Sequence, residues 1–290
     1  MEITPLKMGS KGLTLSKAKF LELRDLIYER SGIFFPEGKL YLVEGRLSRR
    51  IRELNMGSFD EYVRYLKGLV DQSAELKKIY NLITINETYF FRYGKQLDAF
   101  SQKILPEVIK RREAEGNRRL KIWSSASSSG EELYTIAMLL REMYPNVVNT
   151  WRIDLVGTDI SQKILADAKA AEYGRNSFRG QMNEYYKKRY FNPNNGKFAV
   201  ADTVRKLVRF DYLNLNDVSA VRRMRGVDFL FCRNVLIYFD LTMKKRVTRA
   251  MYDVINHGGY LFLGEAESLH GISSAFRVVH FPGAFVYGKE

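Results

Sequence analysis

The chain has 290 residues, of which 46% are hydrophobic and 28% charged, and a formal net charge of +14. That is enough chain for two ordinary domains or one large one, with a core that needs no covalent staples. The single cysteine, Cys232, excludes an intramolecular disulfide, and no segment approaches the roughly 20 apolar residues of a membrane span. The first 17 residues carry no leader pattern, so a cytoplasmic protein without membrane insertion is expected. The charge is spread out, at +4 over residues 1–93 and +10 over the remainder. Nucleic acid, an anionic membrane and an acidic protein are all compatible partners, but there is no dedicated polybasic arm.

In chain order, residues 14–93 read as helical. Phe20, Leu23 and Ile27 recur at helical spacing, as do Leu47, Ile51 and Leu54, and Tyr62, Leu66 and Leu69. Ser58 is a plausible N-cap before Phe59. The pattern changes near Leu120. LKIWS is a short apolar run, followed by a small-residue turn and a helical stretch over 131–144. A loop, YPNVVNT, leads to IDLVGTD, a strand ending on an acid. A helix with Ile164, Leu165 and Ala168 on one face follows and ends at Gly174. VDFLFC and GYLFLG read as buried strands, 242–257 as a helix stopped by Gly258 and Gly259, and AFVYGK as the closing strand. Strands alternating with helices predict an α/β fold with a doubly wound, mostly parallel sheet. The turn cluster NPNNG, with KFAVA and VRKLVRF after it, predicts a small antiparallel β insertion at about 186–210. The predicted organisation is an all-helical N-terminal domain with its linker over 1–93 and a Rossmann-like domain over 94–290.

In such a sheet the ligand lies beyond the carboxyl ends of the strands. The turn there, SSASSSG over 124–130, has small residues that let backbone approach a ligand. It lacks the G-x-G-x-x-G of a pyrophosphate-binding turn and the lysine of a P-loop, which favours a ligand without phosphate. S-adenosylmethionine fits, because it carries an ammonium and a sulfonium. Glu131 and Glu132 suit a cationic ligand, although both are also good first-turn helix charges. Asp159, ending the next strand, suits the two hydroxyls of a ribose, or alternatively caps the following helix.

NETYFFR (86–92), WSSASSSGEELYTIA (123–137), GTDIS (157–161), YFNPNNGKFAV (190–200), VRFDYLNL (208–215) and FCRNVLIYFD (231–240) together resemble the CheR family of chemoreceptor glutamate O-methyltransferases. GGYLFLGEAESL (258–269) resembles the family's C-terminal strand block. The resemblance spans nearly the whole chain, and NxTxFFR with CRNVxIYF is its specific part. It implies adenosylmethionine contacts at Asn86, Thr88, Arg92, Glu131, Asp159, Asn214, Leu215, Arg233 and Asn234. It also implies that Arg92 and Tyr238 lie beside the reacting methyl. There are departures: Leu133 stands where the family usually has proline, and GEAES stands where many members carry His or Ser.

The implied reaction is methyl transfer to a glutamate carboxylate of a receptor's cytoplasmic helices, leaving S-adenosylhomocysteine. It needs no general base, nucleophilic side chain or metal, and His257, His270 and His280 are not at metal-ligand spacing. Cys232 reads as core. Arg46, Arg49, Arg50 and Arg52 lie on one helix and form either a solvated basic face or a dock for an acidic receptor helix. The β insertion offers an edge for a receptor tail. Two other readings compete. A nucleic-acid methyltransferase suits the charge but would carry an Asn/Asp-Pro-Pro-aromatic loop where this chain has Arg233-Asn234-Val235-Leu236. A non-catalytic adenosylmethionine-binding signalling module is disfavoured by the intact Asp159, Arg92 and Tyr238.

Overall fold

The computed structural model describes residues 13–70, 73–180 and 182–290, so most of the N-terminal stretch read for a leader lies outside the described residues. The chain falls into two compact units. One runs up to Ile83 without residues 31–33, and the other holds Ser31–Ile33 and Thr84–Glu290. Residues 84–93, a linker by sequence, therefore belong to the second unit.

The first unit is built from α1 (Lys17–Ser31), α2 (Leu40–Glu53), α3 (Phe59–Lys67) and α4 (Ala74–Ile83). The periodic residues Phe20, Leu23, Ile27, Leu47, Ile51, Tyr62 and Leu66 are all buried, as an apolar helical stripe requires. Ser58 caps α3 by accepting the Glu61 N–H at 3.2 Å. One charge lies inside this core. The Glu75 carboxylate is buried and accepts from the Tyr62 hydroxyl at 2.7 Å and from Arg50 Nε at 3.1 Å. A buried carboxylate is tolerated only with such partners.

The second unit opens with α5 (Gly94–Ala99), which passes through one π-helical turn, Phe100–Ile104, into α6 (Leu105–Ala114). β1 (Arg119–Ser125) leads to α7 (Glu131–Met143) and the short α8 (Pro145–Thr150), then to β2 (Arg152–Asp159) and α9 (Gln162–Ala170). Next come β3 (Glu172–Tyr173), α10 (Glu184–Tyr190), β4 (Phe191–Asn194), β5 (Lys197–Val200) and α11 (Asp202–Arg205). β6 (Val208–Tyr212), α12 (Val218–Arg223), β7 (Val227–Cys232), α13 (Leu241–Val254) and β8 (Ile255–Leu263) follow. A hairpin of β9 (Arg277–Phe281) and β10 (Ala284–Gly288) ends the chain.

The strands form a seven-stranded sheet in the order β6-β2-β1-β7-β8-β10-β9 and a three-stranded sheet in the order β3-β5-β4. The first five strands of the large sheet are parallel, and β10 runs antiparallel to both β8 and β9. This is the predicted Rossmann-like sheet with a small antiparallel addition. Every residue of β7 is buried, which explains a sequence that is apolar except for Asp228, whose carboxylate accepts the Lys121 N–H at 2.9 Å and the Asn256 amide at 2.9 Å. Phe231 stacks on Phe262 of β8 at 4.3 Å between ring centroids, and Phe100 meets both rings edge-on.

Several local expectations are corrected. VRKLVRF does not belong to the small sheet. Val208–Tyr212 pairs parallel with β2, and Phe210 is buried against α7 and β2, so the small sheet spans 172–200 instead. YPNVVNT is not a loop, because Pro145 starts α8 at the position where its missing N–H costs nothing. α9 stops at Ala171 in the left-handed region, before Gly174. α13 ends at Val254, and β8 runs through Gly258 and Gly259. A Cβ at Gly259 would lie 2.8 Å from the Asp228 carbonyl oxygen, so those glycines serve an irregular strand pairing and not a helix end.

Candidate active site

The connections run from β1 outward through β2 to β6, then return to β7 and continue to β8. The direction of winding therefore reverses between β1 and β7, and the crevice beyond their carboxyl ends is where such a sheet takes its ligand. The turn leaving β1 has three residues at positive φ: Ala126 (137°), Ser128 (50°) and Gly130 (93°). Small residues make this contorted path affordable. Gly130 is also required sterically, because a Cβ there would lie 2.8 Å from Phe210 Cζ. Gly157 on β2 has the same neighbour, at 2.5 Å from its would-be Cβ. Phe210 thus seals β6 and β2 against the start of α7 only because two positions lack side chains.

The turn is tied to the end of β2. Ser127 donates its N–H to the Thr158 carbonyl at 2.9 Å, and Ser128 donates to the Asp159 carboxylate at 3.0 Å. The other Asp159 oxygen accepts the Ser161 N–H at 2.9 Å, so Ser161, not Asp159, caps α9, accepting from Ile164 N. Asp159 is buried, and burial pushes its carboxyl above the usual range despite these donors. Among the described residues no cation pairs with it.

Glu131 and Glu132 differ sharply. Glu132 accepts from the Ser124 hydroxyl at 2.7 Å and ion-pairs with Arg233 Nε at 2.6 Å. Glu131 is buried, takes hydroxyls from Ser129 at 2.6 Å and Ser177 at 2.9 Å, and has no ion-pair partner among the described residues. Burial raises its carboxyl as well. The site therefore encloses two acids, Asp159 and Glu131, that are hydrogen-bonded but not ion-paired among the described residues.

Residues 84–93 are pinned along this edge. Ser128 Oγ donates to the Asn86 carbonyl at 3.0 Å, Phe90 N to the Ser177 carbonyl at 2.9 Å and Phe91 N to Thr135 Oγ1 at 3.2 Å. Asn86 Nδ2 donates to Thr84 at 3.2 Å, and Thr88 is half-buried beside it in sequence. Arg92 donates from Nη1 to the Glu87 carbonyl at 3.0 Å and from Nη2 to the Tyr93 hydroxyl at 3.3 Å, while its enclosed Nε has no acceptor. Asn214 and Leu215 follow β6, and Leu213 N, just before them, donates to the Asp159 carbonyl at 3.1 Å. Arg233 and Asn234 leave β7, and Tyr238 closes a 3-10 turn, Leu236–Tyr238, one step further on. The structure thus brings the ends of β1, β2, β6 and β7 and the 84–93 segment to one edge. Arg46, Arg49, Arg50 and Arg52 belong to the first unit.

Sequence reasoning missed the residues that hold this loop. Glu267 is buried and its carboxylate accepts three backbone N–H groups: Asn234 at 2.6 Å, Val235 at 2.9 Å and Gly264 at 2.7 Å. Gln96 donates to the Leu263 carbonyl at 2.9 Å and accepts from Arg233 at 3.4 Å. Glu267 lies within the departing GEAES block, which was the only signal. Cys232 is fully buried, with its thiol pushed up by desolvation, in keeping with a core role.

The family descriptions "CheR methyltransferase, SAM binding domain" and "CheR methyltransferase, all-alpha domain" match residues 86–285 and 18–84. This chain belongs to the CheR methyltransferase family. The chain is 35% identical to chemotaxis protein methyltransferase 2 of Vibrio cholerae over 96% of this chain and 94% of the relative. It is 33% identical to the chemotaxis protein methyltransferase of Borreliella burgdorferi, over 89% and 91% of the two chains. With chemotaxis protein methyltransferase 1 of Pseudomonas aeruginosa it shares 31% identity over 95% and 99%. The match to the family's adenosylmethionine-binding domain falls on the unit that carries the switch-point crevice. The crevice fits the group in its own terms, with two buried acids that are not ion-paired among the described residues, to suit a cationic ligand, and a sharply bent turn of small residues. No helix among the described residues is long and apolar enough to cross a membrane.

Proposed function

We propose that this chain is a cytoplasmic protein-glutamate O-methyltransferase that uses S-adenosylmethionine to methylate glutamate side chains on the cytoplasmic helices of chemoreceptors, and so serves chemotaxis adaptation. The observation that carries the reading is the pair of buried acids without cations, Asp159 and Glu131, in a family whose shared cofactor is a sulfonium. Asp159 would accept the ribose hydroxyls, and Glu131 would offer charge to an ammonium. Asn86, Thr88, Asn214, Leu215, Arg233 and Asn234 complete the proposed cradle.

S-adenosylmethionine supplies a methyl on a positively charged sulfur. The incoming glutamate carboxylate is already ionised at neutral pH, so no base is needed. Its attack turns an anion and a cation into neutral products, which a water-poor crevice favours. What the chain must supply is orientation. Arg92 is suited to that role. Two of its nitrogens are held by Glu87 and Tyr93, and the enclosed Nε–H still lacks an acceptor. Leaving a buried donor unpaired costs about 1–3 kcal/mol, a cost removed when a carboxylate arrives. A single N–H of this kind positions an anion without the tight bidentate clamp that would blunt it. Tyr238 would line the methyl channel.

For the receptor, α2 offers Arg49 and Arg52, which are exposed, whereas Arg46 and Arg50 are engaged within their own unit. The small sheet has free edges at β3 and β4, of which β4 is the longer and would take a receptor tail as an added strand. The test is incubation with labelled adenosylmethionine and chemoreceptor-rich membranes. Base-labile label on receptor-sized bands is the expected result. Label on RNA instead, or none above controls, would sink the proposal.

A further inference from the structure

Tyr93 directly follows Arg92 but lies outside the motif that names the family, and nothing in the chemistry above requires it. It sits at φ 62° and ψ 61° just before α5, in the left-handed region that a bulky residue enters only when its surroundings hold it there. Its carbonyl accepts the Gln96 N–H at 3.0 Å and the Leu97 N–H at 3.2 Å, so the backbone is fixed by the first turn of α5. Its hydroxyl lies 2.8 Å from Nδ2 and 3.0 Å from Oδ1 of Asn234, across 141 residues of sequence, and accepts from Arg92 Nη2 at 3.3 Å. The ring carries two guanidinium groups, with Arg92 Cζ at 5.0 Å and Arg233 Cζ at 4.9 Å from its centroid. Two cations near one aromatic ring are each attracted by its π electrons.

We propose that Tyr93 is the positioning residue of the methyl-transfer site. Through its hydroxyl it orients the Asn234 amide and the Arg92 guanidinium, and through its ring it places Arg92 and Arg233. The strained backbone is the means, because it turns the phenol away from α5 and into the loop after β7. Asn234 is then held from two directions, by Tyr93 at its side chain and by Glu267 at its N–H (2.6 Å). Asn234 is itself at φ 61°, so its amide has few other ways to be aimed. The inference rests on the cofactor-site assignment above.

The test is calorimetric binding of S-adenosylmethionine to the full chain and four variants: Tyr93→Phe, Tyr93→Leu, Asn234→Ala and the Tyr93→Phe/Asn234→Ala double variant. Tyr93→Phe keeps the ring and removes only the hydroxyl, so it should weaken binding about tenfold with its melting temperature within about 2 °C of the parent. Tyr93→Leu, which also removes the ring, should lose about a hundredfold. Because the Tyr93 hydroxyl acts largely through Asn234, the double variant should lose clearly less affinity than the two single losses combined. Simple additivity of the two effects, undiminished binding by Tyr93→Phe, or a melting temperature that falls in step with affinity would each overturn the role. No binding by the unsubstituted chain would overturn the site assignment, and this inference with it.

Discussion

The backbone N–H of Ser128 donates to the carboxylate of Asp159 at 3.0 Å, joining the turn after one strand to the end of the next. The same carboxylate accepts from Ser161, so this one side chain fixes the floor of the crevice before any ligand arrives. Asp159→Ala should abolish measurable adenosylmethionine binding. It should also cost about 1–3 kcal/mol of stability, because two backbone donors lose their acceptor. Asp159→Asn should retain most of the stability and lose most of the affinity. Calorimetry and denaturant titration measure the two effects separately, and full affinity in the alanine variant would remove Asp159 from the site.

Burial raises the carboxyls of both Asp159 and Glu131. A folded value above the unfolded one means that the fold prefers the protonated acid. The stability these groups contribute is therefore fully present below their unfolded values near pH 4, and it is lost as pH rises through the raised folded values. A cationic ligand selects the ionised forms, so adenosylmethionine affinity should climb over the same interval. Thermal melts from about pH 4 upward, with and without ligand, should show the ligand's stabilisation growing as pH rises. A ligand effect independent of pH there would mean that neither acid meets the cation.

Arg92 is predicted to act after binding. Arg92→Ala should lower kcat by about 100-fold with cofactor saturating, because orientation of the carboxylate is lost. Arg92→Lys should recover little, as its ammonium cannot hold Glu87 and Tyr93 while presenting a third donor. Initial rates on receptor-containing membranes provide the measurement, and a normal kcat in the alanine variant would exclude the role.

The two glycines that face Phe210 should fail for different reasons. Gly157→Ala places a methyl within contact of the Phe210 ring, and Phe210→Leu should partly rescue it. Gly130→Ala meets the same ring but also forces alanine to φ 93°, so the leucine change should not rescue it. Each single substitution is expected to cost about 1–3 kcal/mol. Equal rescue at both positions, read from denaturant midpoints, would show that the backbone conformation at Gly130 is not the constraint.

The arginines of α2 should divide in the same manner. Arg50→Ala strips the buried Glu75 of its guanidinium partner and should destabilise by about 3–5 kcal/mol. Arg52→Glu lies on the exposed side and should leave the melting temperature near the parent while raising KM for receptor substrate. If receptor KM is unchanged, that face of α2 is only solvated surface.

Much of this architecture is visible in the sequence where the cause is local. VDFLFC is apolar at every position but Asp228 because β7 is buried on both faces, and the small residues of SSASSSG announce a backbone that bends sharply. Asp159 is legible because a strand that ends on an acid has only one crevice to face. What stays hidden depends on partners distant in the chain. Val208–Tyr212 has the alternation of an edge strand, and only its packing of Phe210 against Gly130 and Gly157 places it beside β2. The choice of Glu131 over Glu132 follows from Arg233, which lies about a hundred residues away and neutralises the second acid but not the first. Tyr93 carries no local signature and Glu267 only the unusual GEAES block around it, since each acts on Asn234 from a distant point in the chain.

The Glu267 clamp has a consequence for biosynthesis. Every residue proposed to touch the cofactor is translated before Glu267, yet the backbone N–H groups of Asn234 and Val235 are held by that later carboxylate. A nascent chain on the ribosome can pair its parallel strands before that carboxylate is in place. Full ordering of the loop after β7 thus waits for Glu267, and a product truncated between Tyr238 and Glu267 would carry the residues of that loop without the carboxylate that holds its backbone.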